Sequence, residues 1–242
     1  MKKVLLYSGG MDSWLISNIW KPDIKLYVNM HTRYSEQEIK KIKENNEDVT
    51  IIDFPLGQWE REDAIIPLRN LYLVMVACNI TYDEDVEICL GATAGDRVLD
   101  KSSEFVTKTN DLLNYLYKPQ HWIPKGKQVK INIDFKSKTK TELIKMFVEN
   151  GGNIDEAFHK SFSCYNPIDG CECWKCKPCF RKFVSFNLNN YKFTNTQIHT
   201  VINYINTEIK PQIINGTYGR GKQEEQDILN ILDKYKDFID EK

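Results

Sequence analysis

An α/β fold built on a parallel sheet, with a zinc-stapled helical C-terminal part, is predicted for this 242-residue chain by three features. Short apolar runs alternate with helix-forming stretches through the first 150 residues. A glycine turn, Ser8-Gly9-Gly10-Met11-Asp12-Ser13, lies between the first apolar run and the first helix-forming stretch. Towards the end, Cys164, Cys173, Cys176 and Cys179 have the spacing of thiolate ligands to one metal ion.

The runs at 4–7, 26–30, 49–52 and 86–90 read as buried strands. Between them, Ser35 and Glu38 have the spacing of a capping box for a helix to about residue 45, and Pro67 suits the first turn of an apolar helix to about residue 82. A βαβ series needs crossovers, so the sheet is parallel and helices cover both faces. Ligands then belong at the carboxyl ends of the strands, where residues 8–13 lie. Thr139 with Glu142 marks another helix start, and Gly151-Gly152 a stop. Cys78, Cys89, Trp14 and Trp20 sit in apolar patterns and read as core, while His31, His121, His159 and His199 share no metal-binding spacing.

Residues 8–13 form an anion site by construction. Two glycines let the backbone turn tightly, and Ser8, Ser13 and the free N–H groups of the following helix start can donate to phosphate oxygens. Gly9 and Gly10 are followed by no lysine at P-loop spacing, so γ-phosphate transfer is not the indicated chemistry. The string S-G-G-x-D-S resembles instead the PP-loop of the ATP pyrophosphatases, which grip the pyrophosphate of ATP and transfer AMP to an oxygen. That resemblance implies a Rossmann-like domain of the adenine-nucleotide alpha hydrolase type.

The composition sets limits on partners. With 41% hydrophobic and 28% charged residues and a formal charge of −1, the chain is neither disordered nor built to coat nucleic acid. No apolar run reaches the roughly 18 residues that span a bilayer, and Met1-Lys2-Lys3 leads straight into a strand. A cytoplasmic protein with no membrane partner is expected. Thiols stay reduced there, so the cysteine group reads as structural zinc, with Cys171 a spare.

Together the PP-loop and the cysteine spacing resemble the 7-cyano-7-deazaguanine synthase family. Ser163-Cys164-Tyr165-Asn166, Cys173, Cys176, Cys179 and Arg181 match its zinc segment, Arg33 and Glu38 its arginine and glutamate after the second strand, Pro67-x-Arg69-Asn70 its P-x-R-N helix start, and Lys140 its late K-x-E lysine. The likeness covers roughly residues 1–185. After the fourth strand the family carries a Tyr-Pro-Asp-Cys-Arg run, whereas this chain reads Gly95-Asp96-Arg97-Val98-Leu99-Asp100-Lys101-Ser102-Ser103-Glu104-Phe105, keeping Gly91, an acidic residue and Glu104-Phe105.

The resemblance implies that 7-carboxy-7-deazaguanine and ammonia become the nitrile through adenylated intermediates, with ATP as co-substrate and magnesium and structural zinc as metals. It implies Ser8, Gly9, Gly10, Asp12 and Ser13 at ATP, catalytic roles for Ser13, Lys140 and Asp12, and Arg33, Arg69, Asn70, Gly91 and Asp96 at the substrate. Asp12 could orient the loop, hold magnesium through water or cap the helix start. Lys140 could neutralise phosphate or be solvated, and Arg69 could fork a carboxylate or form a salt bridge. The expected domains are a PP-loop domain at 1–150, a zinc segment at 151–185 and a helical extension at 186–242 with helical stretches at 197–208 and 224–238. That extension reads as a packing appendage or a homodimer arm. Adenylation of another carboxylate, a protein terminus or a tRNA base is the alternative chemistry, and a zinc-stapled nucleotide sensor is the alternative of another class.

Overall fold

In the computed structural model, which describes residues 1–236, five strands form one parallel sheet. They are β1 (Lys2–Leu6), β2 (Ile24–Asn29), β3 (Thr50–Asp53), β4 (Val86–Cys89) and β5 (Val129–Asn132), ordered β3-β2-β1-β4-β5. Val4 pairs with Ile24 on one side and Ile88 on the other. Val4, Leu5, Leu26, Val86 and Ile88 are fully buried, as strands covered on both faces require. After β3 the chain crosses to the far side of β1, which makes a topological switch point between β1 and β4. Ser8 and Gly91 follow the carboxyl ends of these two strands.

The four apolar runs are the first four strands to within two residues. β5 escaped the pattern because only Val129 and Ile131 of its four residues are apolar, too few to show a period. Between the strands lie α1 (Met11–Trp20), α2 (Ser35–Glu44), α3 (Arg69–Ile80) and α4 (Ser103–Leu116). The expected capping box of α2 is absent. Ser35 is already helical, its hydroxyl accepts from the Thr32 N–H at 2.9 Å, and Glu38 accepts instead from the buried Tyr27 hydroxyl at 2.9 Å. Nor does α3 begin at Pro67. Leu68 takes a left-handed φ of 60°, which breaks the chain direction, and the helix starts at Arg69. Its far end is capped by the ammonium of Lys127, which donates to the carbonyls of Cys78 and Thr81, a cation at the negative end of the helix dipole.

The chain forms two compact units. The first, Met1–Gly9, Ile16–Ala92 and Asp96–Lys136, carries the sheet, and its core joins Val4, Leu26, Ile88 and Ile131 to Val74 of α3 and Leu113 of α4. The second comprises Gly10–Leu15, Thr93–Gly95 and the chain from Ser137 onward. It holds α5 (Lys140–Glu149), α6 (Ile154–Lys160), α7 (Lys177–Leu188), α8 (Asn195–Tyr204), α9 (Lys210–Ile214) and α10 (Lys222–Lys234). The capping box read at Thr139 is present. Thr139 Oγ1 accepts from the Glu142 N–H at 3.1 Å and the Glu142 carboxylate accepts from the Thr139 N–H at 2.7 Å. The stretch expected at 197–208 is α8 running into a π turn at Ile205–Ile209, and that at 224–238 is α10, residues 237 and 238 lying outside the described residues. Phe180 and Phe183 of α7, Ile198 and Ile202 of α8, and Ile228 and Ile231 of α10 make this unit's core. Among the described residues no helix is long and apolar enough to cross a membrane.

Phe183 is fully buried and packs against Phe193, ring centroids 4.4 Å apart and planes tilted by 51°. Phe183→Ala is expected to cost about 3–5 kcal/mol in urea unfolding, because the helices around it cannot close the cavity.

Candidate functional site

The turn after β1 needs a glycine. Gly9 has φ +70°, and a Cβ there would lie 3.2 Å from Ile42 Cγ1. Helix α1 then begins at Met11, and Ser13, buried, donates its hydroxyl to the Gly10 carbonyl at 3.1 Å. In the second unit this helix start meets two distant pieces of sequence. Lys140, first residue of α5, donates from Nζ to both carboxylate oxygens of Asp12, to Oδ1 at 2.5 Å. Ser163, next to Cys164, accepts the Met11 N–H on its hydroxyl at 3.4 Å. Helix N–H groups, a hydroxyl and an ammonium thus surround one helix N-terminus, a set suited to phosphate oxygens. Asp12 and Lys140 remain about one-quarter and one-fifth exposed, so an anion can approach the pair.

The other residues named from the sequence lie in the first unit. Ser8 is exposed, and Gly91 follows β4 with φ +61°. Arg69 and Asn70 head α3, where the Asn70 N–H donates to Asp100 at 3.2 Å. The run that departs from the family pattern is thereby tied to α3, and within it Asp96 pairs with Lys101 at 2.9 Å. Arg33 is turned to the 60–62 loop, pairing with Glu60 at 3.1 Å and donating to the carbonyls of Arg61 and Glu62. Burial raises Glu38 to about 7, against the lowering pull of the Tyr27 hydroxyl and the Arg69 charge.

Cys164, Cys173, Cys176 and Cys179 are all buried, and their sulfurs lie within 4.8 Å of one another. Four thiolates at 2.3 Å from one ion would stand about 3.8 Å apart, so a small contraction makes a tetrahedral site. Hydrogen bonds between the sulfurs hold Cys176 low and push Cys164 and Cys179 up. The Cys173 N–H donates to Cys164 Sγ at 3.3 Å. Cys171 is exposed and outside the group, while Cys78 and Cys89 are buried as expected of core residues.

A family model described as queuosine biosynthesis protein QueC matches residues 46–190. The chain belongs to the QueC family. The matched segment holds Arg69, Asn70, Lys140 and the four cysteines, while residues 8–13 precede it. The chain is 27% identical over 220 residues to 7-cyano-7-deazaguanine synthase 1 of Colwellia psychrerythraea, covering 78% of this chain and 95% of that protein. It is 24% identical to the 7-cyano-7-deazaguanine synthases of Pseudoalteromonas translucida, with 78% and 95% covered, and of Citrifermentans bemidjiense, with 76% and 92% covered. No solved structure matches.

Two supporting residues escaped the sequence reading. Lys182, wholly buried, donates to Glu172 at 2.9 Å and to the carbonyls of Phe158 and Ser161, and Glu172 accepts the Ser163 N–H at 2.8 Å. Burial lowers the Lys182 ammonium and Glu172 pulls it back up. A lysine inside the apolar run of α7 was the available signal. Lys182→Met would leave Glu172 uncompensated, and a loss of about 3–5 kcal/mol is expected in denaturant unfolding of the metal-loaded protein. Glu38 gives a pH test. Its folded value near 7 stands above the ordinary 4.5, so its stabilising contribution is full below 4.5 and lost as pH rises through 7. Glu38→Gln should flatten that part of the stability profile, measured by thermal unfolding at successive pH values.

Proposed function

We propose that the protein is an ATP-dependent, nitrile-forming C–N ligase acting in queuosine biosynthesis, converting 7-carboxy-7-deazaguanine and ammonia to 7-cyano-7-deazaguanine. The observation that carries this reading is the Lys140–Asp12 pair at the S-G-G-M-D-S helix start, in a chain of the QueC family. On this reading the substrate carboxylate attacks the α-phosphorus of ATP, the bond to the β-phosphate oxygen breaks, and pyrophosphate leaves an acyl adenylate. Ammonia adds to the acyl carbon, AMP departs and a proton is lost, giving the amide. The amide oxygen then attacks the α-phosphorus of a second ATP, releasing a second pyrophosphate, and loss of that AMP with the two N–H protons forms the nitrile.

The chemical demand on the protein is negative charge growing on departing pyrophosphate. The first turn of α1 is fixed by the bond from the Ser13 hydroxyl to the Gly10 carbonyl, and on this reading that hydroxyl turns from the carbonyl to donate to the departing oxygens. Lys140 brings a full positive charge, and Asp12 keeps its ammonium at the loop until phosphate arrives. Arg33, Arg69, Asn70, Gly91 and Asp96 are assigned to the deazaguanine on resemblance. Zinc suits the four thiols, which would close its coordination and make it a staple of the 164–179 segment. Magnesium is less well served by the chain itself, since Lys140 engages both oxygens of Asp12, the carboxylate of the loop.

A second reading keeps the adenylation and changes the acceptor. It draws on the 95–103 run, whose Asp96 and Asp100 are bound to Lys101 and to the Asn70 N–H. Mass spectrometry of the zinc-loaded protein with ATP, magnesium, ammonium and 7-carboxy-7-deazaguanine separates the two. Nitrile with AMP is the expected result, and an unchanged deazaguanine mass overturns the first reading. Lys140→Ala is expected to slow pyrophosphate release about 100-fold, with zinc content by elemental analysis unchanged. Full turnover in that variant would remove Lys140 from the mechanism.

A further inference from the structure

We propose that Asp227 is a positioning residue for Lys140, which makes the C-terminal helix α10 a working part of the phosphate site. The inference rests on the reading of Lys140 given above. α10 lies beyond the segment matched by the QueC family, and its sequence shows only an amphipathic pattern.

Thr141, next to Lys140 in the first turn of α5, donates its hydroxyl to Asp227 Oδ2 at 2.7 Å. Asp227 is buried, and its other oxygen accepts from the Gln223 amide at 3.0 Å. Both of these donors are neutral. A buried carboxylate held in this way is costly to desolvate, and its stabilisation is tied to the geometry of those bonds. The carbonyl of Thr141 accepts from Asn189 at the end of α7, at 3.0 Å. The residue beside Lys140 is thus gripped at its hydroxyl by α10 and at its carbonyl by α7. Asp12 holds the tip of the lysine, and these bonds hold its base. Lys140 and Asp227 also line one crevice with Thr139, Arg181 and Glu224.

The platform is rigid enough for this role. Ile228 and Ile231 are fully buried against α7, and Glu224, one turn before Asp227, pairs with Arg181 at 2.9 Å and accepts from the Tyr218 hydroxyl at 2.5 Å. The loop before α10 lies close against a second segment. Gly95, at φ +86°, lies so near Arg220 that a Cβ there would be 2.9 Å from the Arg220 carbonyl oxygen and 3.2 Å from its Nε. Helix α10 thus binds the start of α5, and the loop before it lies against Gly95.

A double-mutant cycle on the full-length, zinc-loaded protein tests the assignment, with pyrophosphate release and ATP affinity as readouts. Asp227→Asn and, from the other end of the bond, Thr141→Val are each expected to lower kcat about 10- to 100-fold with little change in the KM for 7-carboxy-7-deazaguanine. In a Lys140→Ala background the same changes should alter the residual rate less than about twofold, since they act through the lysine. Equal losses in both backgrounds would make Asp227 a structural residue only and overturn the inference. Unchanged turnover in Thr141→Val beside a crippled Lys140→Ala would do the same while sparing the functional reading. Unchanged turnover in Lys140→Ala itself would overturn the inference together with the role given to Lys140, while the nitrile-forming reading would stand or fall on the deazaguanine mass alone.

Discussion

Lys140 and Asp12 hold each other across 128 positions of sequence, and the arrangement of the second unit follows from keeping them together. A lysine has four rotatable bonds and loses much entropy when its tip is fixed, so the cost falls if its backbone is already fixed. The chain meets this need with the Thr139 capping box, which sets the start of α5, and with bonds to Thr141 from two other helices. On the other side, Gly10 and Ser13 shape the first turn of α1, and Trp14 packs edge-on to Phe147 of α5 at 5.3 Å. The ion pair is therefore the visible end of a packed assembly.

The cysteine segment poses the opposite electrostatic problem. Four thiolates around a dication carry a net charge of about −2, which needs compensation where water is excluded. Lys182 stands wholly buried in the same segment, with Glu172 and two carbonyls satisfying its protons. Glu172 in turn accepts the N–H of Ser163, whose hydroxyl receives the Met11 N–H at the start of α1. Collapse of the cysteine segment would accordingly be felt at the loop through two hydrogen bonds, without any metal taking part in the chemistry.

What the sequence revealed was whatever the physics writes locally. The glycine turn, the runs of β1 to β4, the cysteine spacing and the Thr139 capping box each occupy a few consecutive residues with a fixed offset. What it hid depends on partners elsewhere in the chain. Ser35 and Glu38 have capping-box spacing, yet Glu38 is drawn to the Tyr27 hydroxyl on β2, and a buried tertiary hydrogen bond outweighs a local cap. Pro67 was a sound helix start until the left-handed Leu68 intervened. Asp227 lies in a stretch that reads only as helical, because nothing nearby in sequence says that it bonds Thr141 across 86 residues.

Most charged residues proposed for chemistry already have internal partners: Lys140 with Asp12, Asp96 with Lys101, and Arg33 with Glu60. The first two pairs are partly open to solvent, where an ion pair contributes roughly 0–1 kcal/mol, while in the third Arg33 is open and the Glu60 side chain is buried. Lys182 with Glu172 is buried, and breaking it leaves a stranded charge. On the proposed reaction the two kinds of pair have different uses. The open ones hold side chains extended while being cheap to exchange, so a phosphate of the substrate can replace Asp12 with little net loss. The buried one is fixed, and it anchors the segment on which the helix start at Met11 leans. Exchangeable charge beside fixed charge is what a site needs when its ligands arrive, change charge and leave.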